Sequence, residues 1–158
     1  MGSGKSTVGR ILAERAGYLF VDSDEEIESR ARATVREIFQ LRGEAWFREM
    51  EQLAIRDLLK EEGRVIATGG GAFAQPACAE DLLERAFTVH LSCDFEVAFR
   101  RVVGLGGRPL VAQGETAARA LFAERKDKYS RAHVTVDTTH RSPDDVVDHV
   151  LRLLPQDR

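Results

Sequence analysis

Gly4, Lys5 and Ser6 fill the last three positions of the phosphate-binding pattern G-x-x-x-x-G-K-[ST]. Each residue type suits a separate task. Lys5 carries a mobile ammonium for the β- and γ-phosphates of a nucleotide. Ser6 offers a hydroxyl to Mg2+, a hard cation that takes a few oxygen ligands and keeps several waters. Gly2 and Gly4 permit backbone turns closed to other residues, so successive N–H groups can aim at phosphate oxygens. Gly2, Ser3, Gly4, Lys5, Ser6 and Thr7 are therefore the expected nucleotide cradle. The apolar residues Val8, Ile11 and Leu12 follow at helical spacing, which places the loop at the N-terminus of a helix.

Further along stand other groups with chemical potential. Asp22 and Asp24 end the apolar run Tyr18-Leu19-Phe20-Val21. Carboxylates two apart at the C-terminal end of a parallel strand can both face the ligand crevice of an open α/β sheet. The alternative is a helix N-cap with an acidic first turn. Arg48 and Glu51 are three apart on an expected helix and can hold one another; taken alone they read as a surface ion pair of ~0–1 kcal/mol. Gly69, Gly70 and Gly71 directly follow a second apolar run, where they imply close approach of backbone to a ligand or a neighbouring helix. Arg108 lies in a glycine-rich connection from Gly104, which suits either a closing lid or a plain surface loop.

The elements that must position these groups alternate. Strands are expected at 18–21, 64–68, 87–91 and 134–137. Helices are expected from Ser6, over 27–31, over 35–41 behind a Thr34/Glu37 capping box, over 44–61 after a break at Gly43, over 76–84, after Asp94, over 117–129, and from Pro143 behind Ser142. Strand–helix alternation implies a parallel sheet with right-handed crossovers. At 158 residues the chain is expected to form one domain. The net charge of -3 argues against a non-specific nucleic-acid binder. No apolar stretch reaches the ~20 residues needed to span a bilayer. Cys78 and Cys93 show no metal-ligand spacing, so a reduced, cytoplasmic protein is expected.

In order, the chain carries the phosphate loop, F-V-D-S-D-E-E-I-E, E-I-F-x-x-x-G-E-x-x-F-R-x-x-E, Gly-Gly-Gly, R-R with R-P-L beyond it, and V-D-T-x-x-R-S-P. This set resembles the shikimate kinase family of the nucleoside-monophosphate-kinase-like P-loop group, over nearly the whole chain. The resemblance implies a three-layer α/β P-loop kinase fold whose first, central strand is missing from this chain. It implies transfer of the γ-phosphate of ATP to shikimate with Mg2+ bound by Ser6 and Asp22. Lys5, Asp24 and Arg108 take the catalytic roles, Asp24 receiving the proton of the attacking hydroxyl. Arg48 and Arg125 grip the shikimate carboxylate, and Gly69, Gly70 and Gly71 hold its ring hydroxyls. Arg101, Arg108 and Arg141 join the phosphate loop in binding nucleotide. The substrate-binding segment spans about 23–51 and the lid about 104–116.

Against the family pattern, Asp127 falls inside Arg125-Lys126-Asp127-Lys128-Tyr129, beside the expected carboxylate grip. The motif's first glycine would fall upstream of Met1. The expectation is that Met1 is not the biological start, or that the chain folds and binds nucleotide poorly as it stands. Another small-molecule kinase of the same group, or a non-catalytic nucleotide binder, are the competing functions. The expected partners are small molecules, with no nucleic acid and no membrane, and the chain acting as a monomer.

Overall fold

The computed structural model describes residues 2–104 and 114–155. It contains two compact units, one joining Met1–Val8 to Phe87–Arg158 and the other spanning Gly9–Ala86. Arg108 and most of the expected lid lie outside the described residues.

Helix α1 (Lys5–Ala16) ends at Gly17, whose φ of 69° lets the chain reverse into β1 (Leu19–Asp22). Strand β2 (Arg64–Ala67) runs parallel to β1, pairing Leu19 with Arg64 and Asp22 with Ala67. Between them lie α2 (Ser23–Ala31) and α3 (Val35–Leu58). Asp22 is the N-cap of α2: its carboxylate accepts from the Asp24 N–H at 3.0 Å. Thr34 and Glu37 form the expected reciprocal capping box. Gly43, at φ 80° and ψ 173°, breaks α3 where the sequence places the break. Ile27, Ile38, Phe47 and Ala54 form one buried cluster, and Ile55, Ala72, Cys78 and Leu82 another. A 3-10 turn (Ala72–Ala74), not foreseen from the sequence, leads into α4 (Pro76–Arg85).

In the other unit, β3 (Val89–Ser92) is parallel to β4 (Val134–Asp137), with Val89 opposite Val134 and Ser92 opposite Asp137. The strand begins later than the apolar run does. The backbone N–H of Thr88 donates to His133 Nδ1 at 3.1 Å, and the His133 N–H to Thr88 Oγ1 at 3.0 Å, so side chains take over the ladder there. Helices α5 (Phe95–Gly104) and α6 (Glu115–Tyr129) meet through Phe95, whose ring lies edge-on to Phe122 with centroids 5.4 Å apart. Ser142 caps α7 (Pro143–Leu153), which buries Val146, Val147 and Val150. The four described strands thus form two parallel pairs. Among the described residues no helix is long and apolar enough to cross a membrane.

Candidate active site

In the Gly9–Ala86 unit, the chain leaves β2 directly into Gly69-Gly70-Gly71. A Cβ on Gly69 would stand 2.5 Å from Asp24 Oδ1 and 2.7 Å from Glu51 Oε1. A Cβ on Gly71 would collide with the Arg48 guanidinium. The strip of bare backbone therefore has a carboxylate at one end and a cation at the other. The Gly69 N–H donates to Ser23 Oγ at 3.0 Å, which ties the strip to the first turn of α2 beside Asp24. Asp24, Arg48, Gly69 and Gly71, far apart in sequence, are thus brought together.

Arg48 and Glu51 do not form the surface pair that their spacing alone suggests. Arg48 Nη1 meets Glu51 Oε2 at 2.7 Å, but the Glu51 side chain is 0% exposed and that of Arg48 23%. The Gln75 amide also donates to Glu51 Oε2, at 2.6 Å. On its outer side Arg48 donates through Nε and Nη2 to Glu44 Oε1, at 3.2 and 3.0 Å. Carboxylates on two sides fix the plane of the guanidinium and hold its pKa above the ordinary arginine value, against the opposing effect of burial. Burial and the nearby Glu51 charge push the Cys78 thiol up to about 11, which leaves it an inert core residue.

In the other unit, Gly2 and Gly4 take φ values of 66° and 86°, the left-handed conformations expected of a phosphate loop. Gly2 lies hard against the backbone of Ala98 on α5, where any side chain would clash. Lys5 opens α1, and the Val8 N–H donates to Gly4 O at 2.9 Å, so the loop passes straight into the helix. Arg101, expected to serve nucleotide, turns the edge of its guanidinium to backbone carbonyls. It donates to Gly2 O at 3.4 Å, Thr138 O at 3.1 Å and Thr139 O at 3.5 Å. Asp137 Oδ1 accepts from the N–H and the hydroxyl of Thr139, at 3.0 and 2.6 Å, and Thr139 Oγ1 accepts from the Asp94 N–H at 3.1 Å. The loop leading to the exposed Arg141 is thereby held at its root. Arg125 is half-buried on α6, while Asp127 is exposed.

Ser6 and Asp22 supply a hydroxyl and a carboxylate, hard oxygens of the kind Mg2+ accepts. Asp22 Oδ1 also caps α2, accepting from the Asp24 N–H. Among the described residues no three His, Cys, Asp or Glu side chains cluster as a metal site.

Sequence reasoning missed Ser23, Gln75, Thr138 and the burial of Glu51. The Arg48/Glu51 spacing was the one available signal, and it carries no information about depth.

A family model described as shikimate kinase matches residues 1–155. The shikimate kinase of Geobacter sulfurreducens is 43% identical over 152 residues, covering 95% of this chain and 84% of that protein. That of Persephonella marina is 36% identical over 151 residues, covering 96% and 92%. Among solved structures, the shikimate kinase from Acinetobacter baumannii in complex with shikimate aligns with a TM-score of 0.91 at 38% identity, covering 97% of this chain and 87% of that one. The enzyme from Aquifex aeolicus aligns with a TM-score of 0.82 at 36% identity, covering 97% and 90%. The mixed α/β architecture with parallel strands is that of a P-loop kinase.

Proposed function

This chain belongs to the shikimate kinase family, and from that premise we propose that it moves the γ-phosphate of ATP to the 3-hydroxyl of shikimate. The products are shikimate 3-phosphate and ADP. The observation that carries the proposal is the strip Gly69–Gly71, closed at one end by Asp24 and at the other by Arg48. A small polyhydroxylated acid matches it: a carboxylate for the guanidinium, hydroxyls for the aspartate, and a ring that needs backbone without side chains beneath it.

In this reading Arg48 bonds the substrate carboxylate through its planar fork, and Arg125 is the second cation of the grip. Asp24 accepts the hydroxyl proton as the oxygen attacks the γ-phosphorus. The new O–P bond forms while the bond to the β-phosphate bridging oxygen breaks, and the electron pair leaves with ADP. Phosphoryl transfer of this kind asks the protein mainly for positioning and charge neutralisation. Lys5 and Arg108 neutralise the oxygens of the transferring group, and the amides of Gly2 to Thr7 hold the chain of phosphates. Arg101 and Arg141 serve the nucleotide's base. Mg2+, held by Ser6 and Asp22, would offset phosphate charge. Segments 23–51 and 104–116 act as acceptor site and lid of one functional domain. The enzyme works as a monomer on small molecules, in the cytoplasm, whose reducing conditions suit two free cysteines.

A coupled assay of ADP release with and without shikimate tests the proposal. Turnover that requires shikimate, and that Asp24→Asn abolishes while nucleotide affinity stays within about twofold, is the expected result. Shikimate should also alter the fluorescence of Trp46, which packs beside Phe47 next to Arg48. ADP release indifferent to shikimate, or driven better by another acceptor, rejects it.

A further inference from the structure

A phosphate loop receives anions with its N–H groups, so its carbonyls have to face the other way and find partners there. In this loop two such carbonyls are bonded by residues from distant parts of the chain. Arg101 Nη1 donates to Gly2 O at 3.4 Å, and Thr138 Oγ1 donates to Ser3 O at 3.3 Å. Thr138 follows β4 directly and is 3% exposed, and Ser3 is buried too. The same hydroxyl lies 2.9 Å from Ser92 O, at the end of β3. A hydroxyl carries one proton, so its donation is shared between the strand end and the loop. The backbone of Thr138 also takes part: its N–H donates to Ser92 O at 2.9 Å and its carbonyl accepts from Arg101 Nη2 at 3.1 Å. One buried residue thus ties the ends of β3 and β4 to Ser3, the residue directly before the last glycine of the phosphate loop.

We propose that Thr138 is a positioning residue for nucleotide binding, its hydroxyl keeping the Ser3 carbonyl turned away so that the amides after it stay aimed at phosphate. It acts through the loop and not by contact with the nucleotide. The backbone bonds of Thr138 hold the strand ends whatever its side chain, so the hydroxyl is the part that can serve the loop. The inference rests on reading residues 2–7 as the nucleotide cradle.

The test compares Thr138→Val, which keeps the shape and deletes the hydroxyl, with Thr138→Ser, which keeps the hydroxyl. Lys5→Ala checks the underlying reading. ATP affinity, the KM for each substrate, kcat and the melting temperature are measured for each full-length variant. Thr138→Val should weaken ATP binding about three- to tenfold, the scale of one lost hydrogen bond, with the KM for shikimate unchanged. Thr138→Ser should restore ATP affinity to within about twofold of the parent. Unchanged ATP affinity in folded Thr138→Val, or equal loss for both substrates, overturns the proposal. So does a valine variant that fails to fold together with Thr138→Ala, because the hydroxyl would then serve the strand ends. If Lys5→Ala weakens ATP and Thr138→Val does not, only this proposal falls. If neither does, the phosphate-loop reading falls with it.

Discussion

Arg48 and Glu51 meet at 2.7 Å across one turn of α3, with the arginine partly in water and the glutamate wholly out of it. The asymmetry decides which partner the protein can spare. Breaking a buried pair is expensive chiefly when it strands a buried charge. Removing Arg48 deprives a fully buried carboxylate of its charged partner on α3. Removing the Glu51 charge leaves Arg48 still bonded to Glu44. Arg48→Met should therefore destabilise by about 3 kcal/mol or more, and Glu51→Gln by only about 1–2 kcal/mol. Urea unfolding at neutral pH measures both. Equal losses, or the reverse order, would show that depth does not govern this pair.

Gly69 sits where a methyl group cannot. Its Cβ would come within 2.5 Å of Asp24 Oδ1 and 2.7 Å of Glu51 Oε1, so Gly69→Ala must displace the aspartate, the buried glutamate or the strip itself. A misplacement of about 1 Å at a reacting group can lower a rate on the order of 10²-fold. Gly69→Ala should reduce kcat by roughly 10–100-fold with the KM for ATP unchanged. Steady-state kinetics with each substrate varied decides it. A variant with parental kcat would mean that the strip lies outside the acceptor site.

Burial, and then the Lys5 ammonium, push the His90 imidazole below its ordinary value of 6.5. The unfolded chain thus takes up this proton more readily than the folded protein does. The contribution of His90 to stability is complete above about pH 6.5 and declines as the pH falls from there toward the lower folded value. Denaturant midpoints at about pH 7.5 and about pH 5.5 should differ in the parent and differ less in His90→Gln. An equal difference in both proteins would remove His90 from the account of acid sensitivity.

Ser142 Oγ accepts from the Asp145 N–H at 3.1 Å, and Pro143 occupies the first turn of α7. Ser142 Oγ also donates to Asp145 Oδ2 at 2.6 Å, so Ser142→Ala should destabilise by about 1 kcal/mol, and Ser142→Thr, which keeps both acceptor and donor, should recover most of it. Thermal unfolding of both variants measures the cap. A loss in the alanine variant that threonine does not recover would point to a cause other than capping.

Local structure was readable because each rule involves residues within a turn of one another. Thr34 and Glu37 are three apart whatever the rest of the chain does, and they cap α3 as their types require. Gly43 breaks its helix, and Gly2 and Gly4 adopt the conformations for which glycine is suited. The residues able to form an acceptor site, Asp24, Arg48 and the glycine strip, were also legible, through their order and through the resemblance of the whole pattern to one kinase family.

What the chain determined by itself, then, is which groups exist and how each is presented at the end of its own strand or helix. Depth and long-range company were left to the tertiary structure. An arginine and a glutamate three apart look the same on paper at the surface or in the core, and only the packing of α3 against neighbouring elements excludes water from Glu51. Thr138 lies 135 residues from Ser3, and no spacing rule links a hydroxyl to a carbonyl at that separation. Their bond forms because two parallel strands end side by side, next to the phosphate loop whose outward carbonyl needs a donor.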